Sequence, residues 1–248
     1  MKKFALALVC SLLLAVPAAA QMSGDIAKIW FVQPKPGMEK QFEEAIKTHM
    51  AWHAQQKDTW RWQAWQVIIG EGTGAYGVGT FGHNWEDFDK PVFDEAADAA
   101  HAEQTIFPTA ARVTPTFYRM LRDVSHPPQA DPVMEEVIIF HVKGGQEAHF
   151  SHLIQKFHEA IQKTKWPVHY TWYTLLVGGE TPQYVLVLPR NNWASFKPME
   201  KSFPMMLEEA FGRMEAGHML EAFSKTTRKE ENEVIRLRPD MGYTPPKK

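Results

Sequence analysis

The sequence predicts an α+β protein in which two fused β-α-β-β-α-β repeats close into a barrel with the helices outside. Three observations lead to that expectation. Slid against itself by 108 positions without a gap, the chain aligns Lys35 with Lys143, Gly37 with Gly145, Phe42 with Phe150 and Ile46 with Ile154. The matches continue through Gly70/Gly178, Tyr76/Tyr184, Asn84/Asn192, Trp85/Trp193 and Phe88/Phe196. Each copy also carries an apolar stripe at helical spacing, and each carries aromatic, β-branched runs on either side of a glycine-containing turn. The chain divides accordingly into residues 1–20, an export signal; 21–124, the first repeat; 125–132, a proline-rich linker; 133–238, the second repeat; and 239–248, a flexible tail.

In the first repeat, residues 26–32 read as a strand, and Pro36-Gly37 introduces a helix over about 38–57 whose apolar positions include Phe42, Ala45 and Ile46. Residues 60–69 and 75–81 form a hairpin around Gly70-Glu71-Gly72-Thr73-Gly74. Asn84 caps a second helix running towards Gln104, with Trp85 in its first turn, and a strand at 116–124 closes the repeat. The second repeat follows the same order, with a strand at 136–142, a helix at 146–164, strands at 168–177 and 183–189, a longer helical region after Asn192, and a strand at 233–238. This order is the split-βαβ, or ferredoxin-like, motif, a four-stranded antiparallel sheet with both helices on one face. The opposite face is expected to carry Trp60, Trp62, Tyr170 and Trp172 and to be buried when the two sheets meet.

Composition narrows the function classes. Lys2-Lys3, the apolar stretch 4–16 and Ala18-Ala19-Ala20 before Gln21 make the three parts of a secretory signal, so the chain is expected to be exported and cleaved, then periplasmic or extracellular. The apolar stretch is too short to span a bilayer, and no membrane anchor is expected. The single cysteine, Cys10, lies inside the signal, which excludes disulfides, cysteine nucleophiles and thiolate-held metals from the cleaved chain. A net charge of −2 with no basic run excludes nucleic acid as a partner.

With the Asn-Trp-x-x-Phe segments at 84–88 and 192–196 and the aromatic hairpins, the chain resembles the dimeric α+β barrel superfamily, which includes antibiotic-biosynthesis-type monooxygenases, heme-degrading monooxygenases and stress-responsive A/B barrel proteins. The resemblance covers nearly all of the chain after the signal. It implies the barrel fold and a ligand held between a sheet and its helices, and it implies no single activity.

The two repeats differ in one place that bears on chemistry. Phe150, Leu153, Ile154, Phe157 and Ile161 form a continuous apolar stripe in the second repeat, and the matching positions of the first are Phe42, Ala45, Ile46, His49 and His53. Two core-facing positions are thus histidines, four apart on one helical face. If Ile69 pairs with Ala75, Val67 faces Gly77 and Trp65 faces Gly79, where the second repeat has Val185 and Val187, so the space beneath the histidines is expected to be hollow. Phe93, Ala96, Ala97, Ala100 and His101 from the second helix border the same space, with Arg61 and Tyr76 as further contacts. The alternative for each histidine is a core side chain satisfied by a carbonyl or carboxylate. No metal is expected, because a bare histidine pair lacks a third ligand and the glutamate of a zinc-protease helix.

The leading expectation is an exported small-molecule-binding protein with a mainly apolar pocket. His49 and His53 would be catalytic, and Trp65, Gly77, Gly79 and His101 would contact an apolar or aromatic ligand. The superfamily resemblance points to oxygenase-like chemistry needing no cofactor, in which a neutral imidazole, with an unperturbed pKa of about 6.5, deprotonates an acidic phenol or enol that then reacts with oxygen. Two alternatives stand beside it: a heme-binding or heme-degrading protein, for which the resemblance nominates His101 as iron ligand, and a non-catalytic envelope protein that holds a ligand or a partner.

Overall fold

The computed structural model describes residues 24–90 and 92–246, and the stretch expected to be an export signal lies outside them. The first half runs β1 (Ile26–Pro34), α1 (Glu39–Gln55), β2 (Gln63–Ile69), β3 (Tyr76–His83), α2 (Glu95–Thr105) and β4 (Ala110–Met120). The second runs β5 (Met134–Val142), α3 (Glu147–Thr164), β6 (Thr171–Val177), β7 (Gln183–Arg190), α4 (Phe203–Phe211), α5 (Arg213–Thr226) and β8 (Thr227–Leu237). The strands form one closed antiparallel barrel in the order β1-β3-β2-β8-β5-β7-β6-β4. Each half contributes a ferredoxin-like sheet, and the halves meet edge to edge where β2 pairs with β8 and β4 with β6. Closure leaves no free sheet edge.

The element order agrees with the expectation, with local differences that have local causes. Asn84 caps only a single 3-10 turn, Trp85–Asp87, and α2 starts later, where the Asp94 carboxylate accepts from the backbone N–H groups of Ala96 and Ala97. Strand β4 begins at Ala110, six residues before the predicted start, because its whole length pairs with β1. The helices α1 and α3 are each followed by a lysine in the left-handed region, Lys57 at φ 56° and Lys165 at φ 50°, a backbone form that ends a helix abruptly. Trp85 and Trp193, which occupy matching places in the two repeats, are 42% and 52% exposed and lie against phenylalanines of their own segments, Phe88 and Phe196.

Which strand residues face the helices differs from the sequence expectation. Trp62, Ala64, Tyr76 and Val78 pack with Phe42, Ala45, Ile46 and Met50 of α1, and Tyr170 and Trp172 pack under α3. These aromatics therefore lie on the helix-covered faces, with Trp60 packed beside them, and do not line the barrel lumen. The lumen holds Ala27, Ile29, Phe81, Tyr118, Val137, Ile139, Tyr173, Leu175, Val185 and Val187. Because side chains alternate along a strand, Trp65, Gly77 and Gly79 fall on the lumen side as well. The hairpin register is also shifted by two residues, with Trp65 opposite Gly77 and Gln63 opposite Gly79. A Cβ on Gly79 would lie 2.9 Å from Ile29 Cγ1, so that glycine makes room for the neighbouring strand's isoleucine and leaves no hollow beneath α1.

The segment after Arg238, expected to be a flexible tail, is built into the first half. Pro239–Met241 forms a 3-10 turn, Met241 is fully buried, and Tyr243 makes a two-way backbone bridge with Trp62. Arg238 reaches Glu43 of α1 at 2.6 and 2.9 Å, and this guanidinium holds the Glu43 carboxyl below the usual range. Among the described residues, no helix is long and apolar enough to cross a membrane.

Candidate functional site

The site lies on the outer face of the first sheet, where the end of α1 meets α2. Spacing of four on α1 puts His49 and His53 one turn apart on the face that packs inward, and both are buried, at 6% and 1% exposure. Helix α2 presents its inward stripe of Asp98, His101, Ala102 and Thr105 to them, while Ala96, Ala97 and Ala100, expected to line the site, point to solvent. The rotational setting of this short, weakly amphipathic helix comes from its Asp94 cap and from the contact with α1.

Five polar side chains converge there. His49 Nδ1 lies 2.9 Å from His101 Nδ1, and His49 Nε2 lies 3.1 Å from Asp98 Oδ1. His53 Nε2 is 3.5 Å from the same Asp98 oxygen, and His53 Nδ1 is 3.0 Å from Asp58 Oδ2. Asp58 is itself fixed: it accepts from the Trp60 backbone N–H at 2.8 Å and from the Trp62 indole N–H at 2.7 Å, and its own carbonyl accepts from the Tyr243 hydroxyl at 2.9 Å. Aromatic rings wall the cluster. Trp52 stacks beside His49 and His101, Phe93 stands edge-on to His53, and Trp62 lies 4.9 Å from the His53 ring. Burial, and after it the neighbouring His49 ring, hold the His101 imidazole below its ordinary pKa. Lys28 of β1, whose pKa burial lowers, extends towards the same region over the rings of Trp30, Phe88 and Phe117.

Of the residues singled out in the sequence, the structure brings together His49, His53, His101 and Phe93. It places Trp65, Gly77 and Gly79 in the lumen, Tyr76 in the core as a donor to Glu43, and Arg61 on the surface, paired with Asp131. The sequence reading missed Asp98, Asp58, Trp52 and Trp62. An Asp three residues before His101 on one helix was a signal for Asp98, whereas Asp58 is brought in by the turn after α1. The two described cavities lie elsewhere: an open groove of about 600 Å³ bordered by His149, His218 and Glu221, and a small cleft near Arg122 and Tyr173.

No family model matches the chain, and no curated protein does. Solved structures match along most of its length. A monooxygenase-like protein from Lactobacillus acidophilus NCFM superposes with a TM-score of 0.56 at 12% identity, covering 89% of this chain and 96% of that one. An anthrone oxidase-like protein gives 0.53 at 10% identity over 87% and 92% of the two chains. The chlorite dismutase of Candidatus Nitrospira defluvii in complex with imidazole gives 0.52 at 8% over 88% and 92%. The chain shares the α+β barrel fold of these structures. At these identities the likeness shows the fold alone, and chemistry has to be argued from the site.

Heme fails the test of the site. The His101 imidazole, the nominated iron ligand, is bonded through Nδ1 to His49 and crowded by the His49 and Trp52 rings at 5.1 and 5.4 Å, and neither described cavity borders it. A macrocycle needs a flat open slot at its axial ligand, and we derive no step through one.

Proposed function

We propose that this is an exported protein that binds a small apolar or aromatic molecule at the histidine cluster between α1 and α2 and acts on it in an oxygenase-like reaction. The observation that carries the reading is the contrast between the halves. A cluster of three imidazoles and two carboxylates, with His49, His53 and Asp58 buried and His101 and Asp98 half-buried, occupies the first half, where the second has Phe157 and Ile161 in a continuous apolar core. Buried polar groups of this kind oppose stability compared with apolar packing, so their concentration in one half supports a functional role. The aromatic side chains around the cluster suit a flat apolar ligand smaller than a macrocycle, and His101, the most accessible of the three imidazoles, marks where it would reach the cluster as side chains move aside. An imidazole held neutral accepts a proton from an acidic phenol or enol, leaving an electron-rich substrate able to react with oxygen.

The test pairs binding with turnover. Anthrone-type and other polycyclic phenols are offered to the wild type and to His49→Phe/His53→Ile, which installs the residues of the second half, and oxygen uptake and ligand fluorescence are followed. The expected result is loss of binding, or at least a roughly 100-fold fall in turnover, in a variant that melts no lower than wild type. Unchanged binding and turnover would mean that the histidines are only core residues.

A further inference from the structure

We propose that His49, His53 and Asp98 hold a divalent transition-metal ion. Their donor atoms all lie within 4.8 Å of one another, and two of the three pairs are resolved as contacts, at 3.1 Å and 3.5 Å from Asp98 Oδ1 to the two Nε2 atoms. Donors bound about 2.0–2.2 Å from one ion stand roughly 3.0–3.5 Å apart, the spacing of both Asp98 contacts, so it is the two imidazoles that have to draw together to close on a metal.

Two further observations point to a cation. Asp98 Oδ1 is enclosed yet accepts no aligned hydrogen bond, although both imidazoles lie beside it. A buried carboxylate oxygen left in that state is costly, and a positive charge between it and the two Nε2 atoms removes the cost. Lys28 acts on Asp98 only from a distance, its ammonium sitting over the Trp30 ring at 4.6 Å rather than in an ion pair with that carboxylate. The outer atoms of the histidines also face groups of the kind that orient metal-bound imidazoles: His53 Nδ1 lies 3.0 Å from an Asp58 carboxylate oxygen, without an aligned hydrogen bond, and His49 Nδ1 lies 2.9 Å from His101 Nδ1, leaving each Nε2 turned towards Asp98. A proton on each Nδ1 would leave Nε2 free as a ligand.

Two imidazoles and one carboxylate suit zinc, iron or cobalt, and a set of three leaves positions on the ion for water, substrate or oxygen. The assignment rests on reading this same cluster as the ligand site, and it gives that reading a means of activating oxygen or polarising a phenolate. It also shifts the direct acid–base role to His101, which touches His49 without belonging to the donor set.

The experiment is a Co²⁺ titration of the EDTA-stripped protein, following visible absorption, with Zn²⁺ as competitor. The expected result is saturable binding of one ion per chain, displaced by Zn²⁺, abolished in Asp98→Asn and weakened about 10-fold or more in His101→Gln, which removes only an outer partner. Thermal melting of each variant confirms that it is folded. Asp98→Asn is a nearly isosteric change at a partly accessible side chain. No saturable absorption from folded wild type, or binding that survives Asp98→Asn, would overturn the proposal. The stripped protein is also offered the phenol panel: ligand binding without metal binding leaves the proposed function standing alone, and metal binding with no affinity for any phenol sinks that function and keeps the metal site.

Discussion

At position 135 a carboxyl group faces the barrel lumen, on the same side of β5 as Val137 and Ile139. The Trp65 indole hydrogen-bonds it, but burial, aided by Asp131, dominates and raises its pKa to about 7. The sign of the linkage follows. A carboxyl whose folded pKa is raised adds no penalty below its unfolded pKa of about 4.5; the penalty grows as pH climbs from there to about 7 and is constant above. Glu135→Gln is therefore expected to raise stability by up to about 3 kcal/mol near pH 8 and to change little near pH 4. Urea unfolding at the two pH values checks this, and an equal effect at both would show that the charged form bears no burial penalty. The histidine cluster also belongs to this scale: a one-dimensional apolar stripe revealed that positions 49 and 53 face inward, because helical periodicity alone decides that. It did not reveal Asp98, whose partners are distant in the chain.

Helix α2 is the element on which the site depends most and which has the least to hold it. It has no fully buried residue, and its Asp94 cap supplies two of its first hydrogen bonds, at 2.9 and 3.2 Å. Asp94→Ala is expected to cost about 1 kcal/mol and to fray the first turn, loosening Asp98 before the rest of the fold. Amide hydrogen exchange should show faster exchange confined to α2, and uniform acceleration across the barrel would contradict this. The same weakness explains why the sequence misplaced this helix's inward face. With several alanines and few large apolar residues, α2 has no strong periodic signal, and only its packing on α1 sets which side turns in.

Across the whole molecule, the site is completed by the far end of the chain. Strand β8 closes the barrel against β2, and residues 238–243 then lie against the first half, where Tyr243 supports Asp58 and Arg238 ties α1 through Glu43. Met241→Ala is expected to destabilise by about 2–5 kcal/mol, as for other fully buried large side chains. Ending the chain at Arg238 should lower thermal stability and also weaken Co²⁺ binding, because Asp58 loses its support. Truncation with no effect on either would return these residues to the status of a tail.

What the sequence determined by itself was local and periodic: the β-α-β-β-α-β order, the inward face of α1, the histidines standing where the second half has Phe157 and Ile161, and the hairpins about their glycines. Regular structure repeats every two or 3.6 residues, so a single chain displays it. The tertiary structure alone decided which side of each strand meets a helix, since alternation is symmetric until something covers one face. It likewise decided that Gly79 accommodates a lumen neighbour, that residues 238–243 are built into the first half, and that Asp58 and Asp98 complete the cluster. Each of those outcomes depends on groups far apart in the chain meeting in space, which no local pattern encodes.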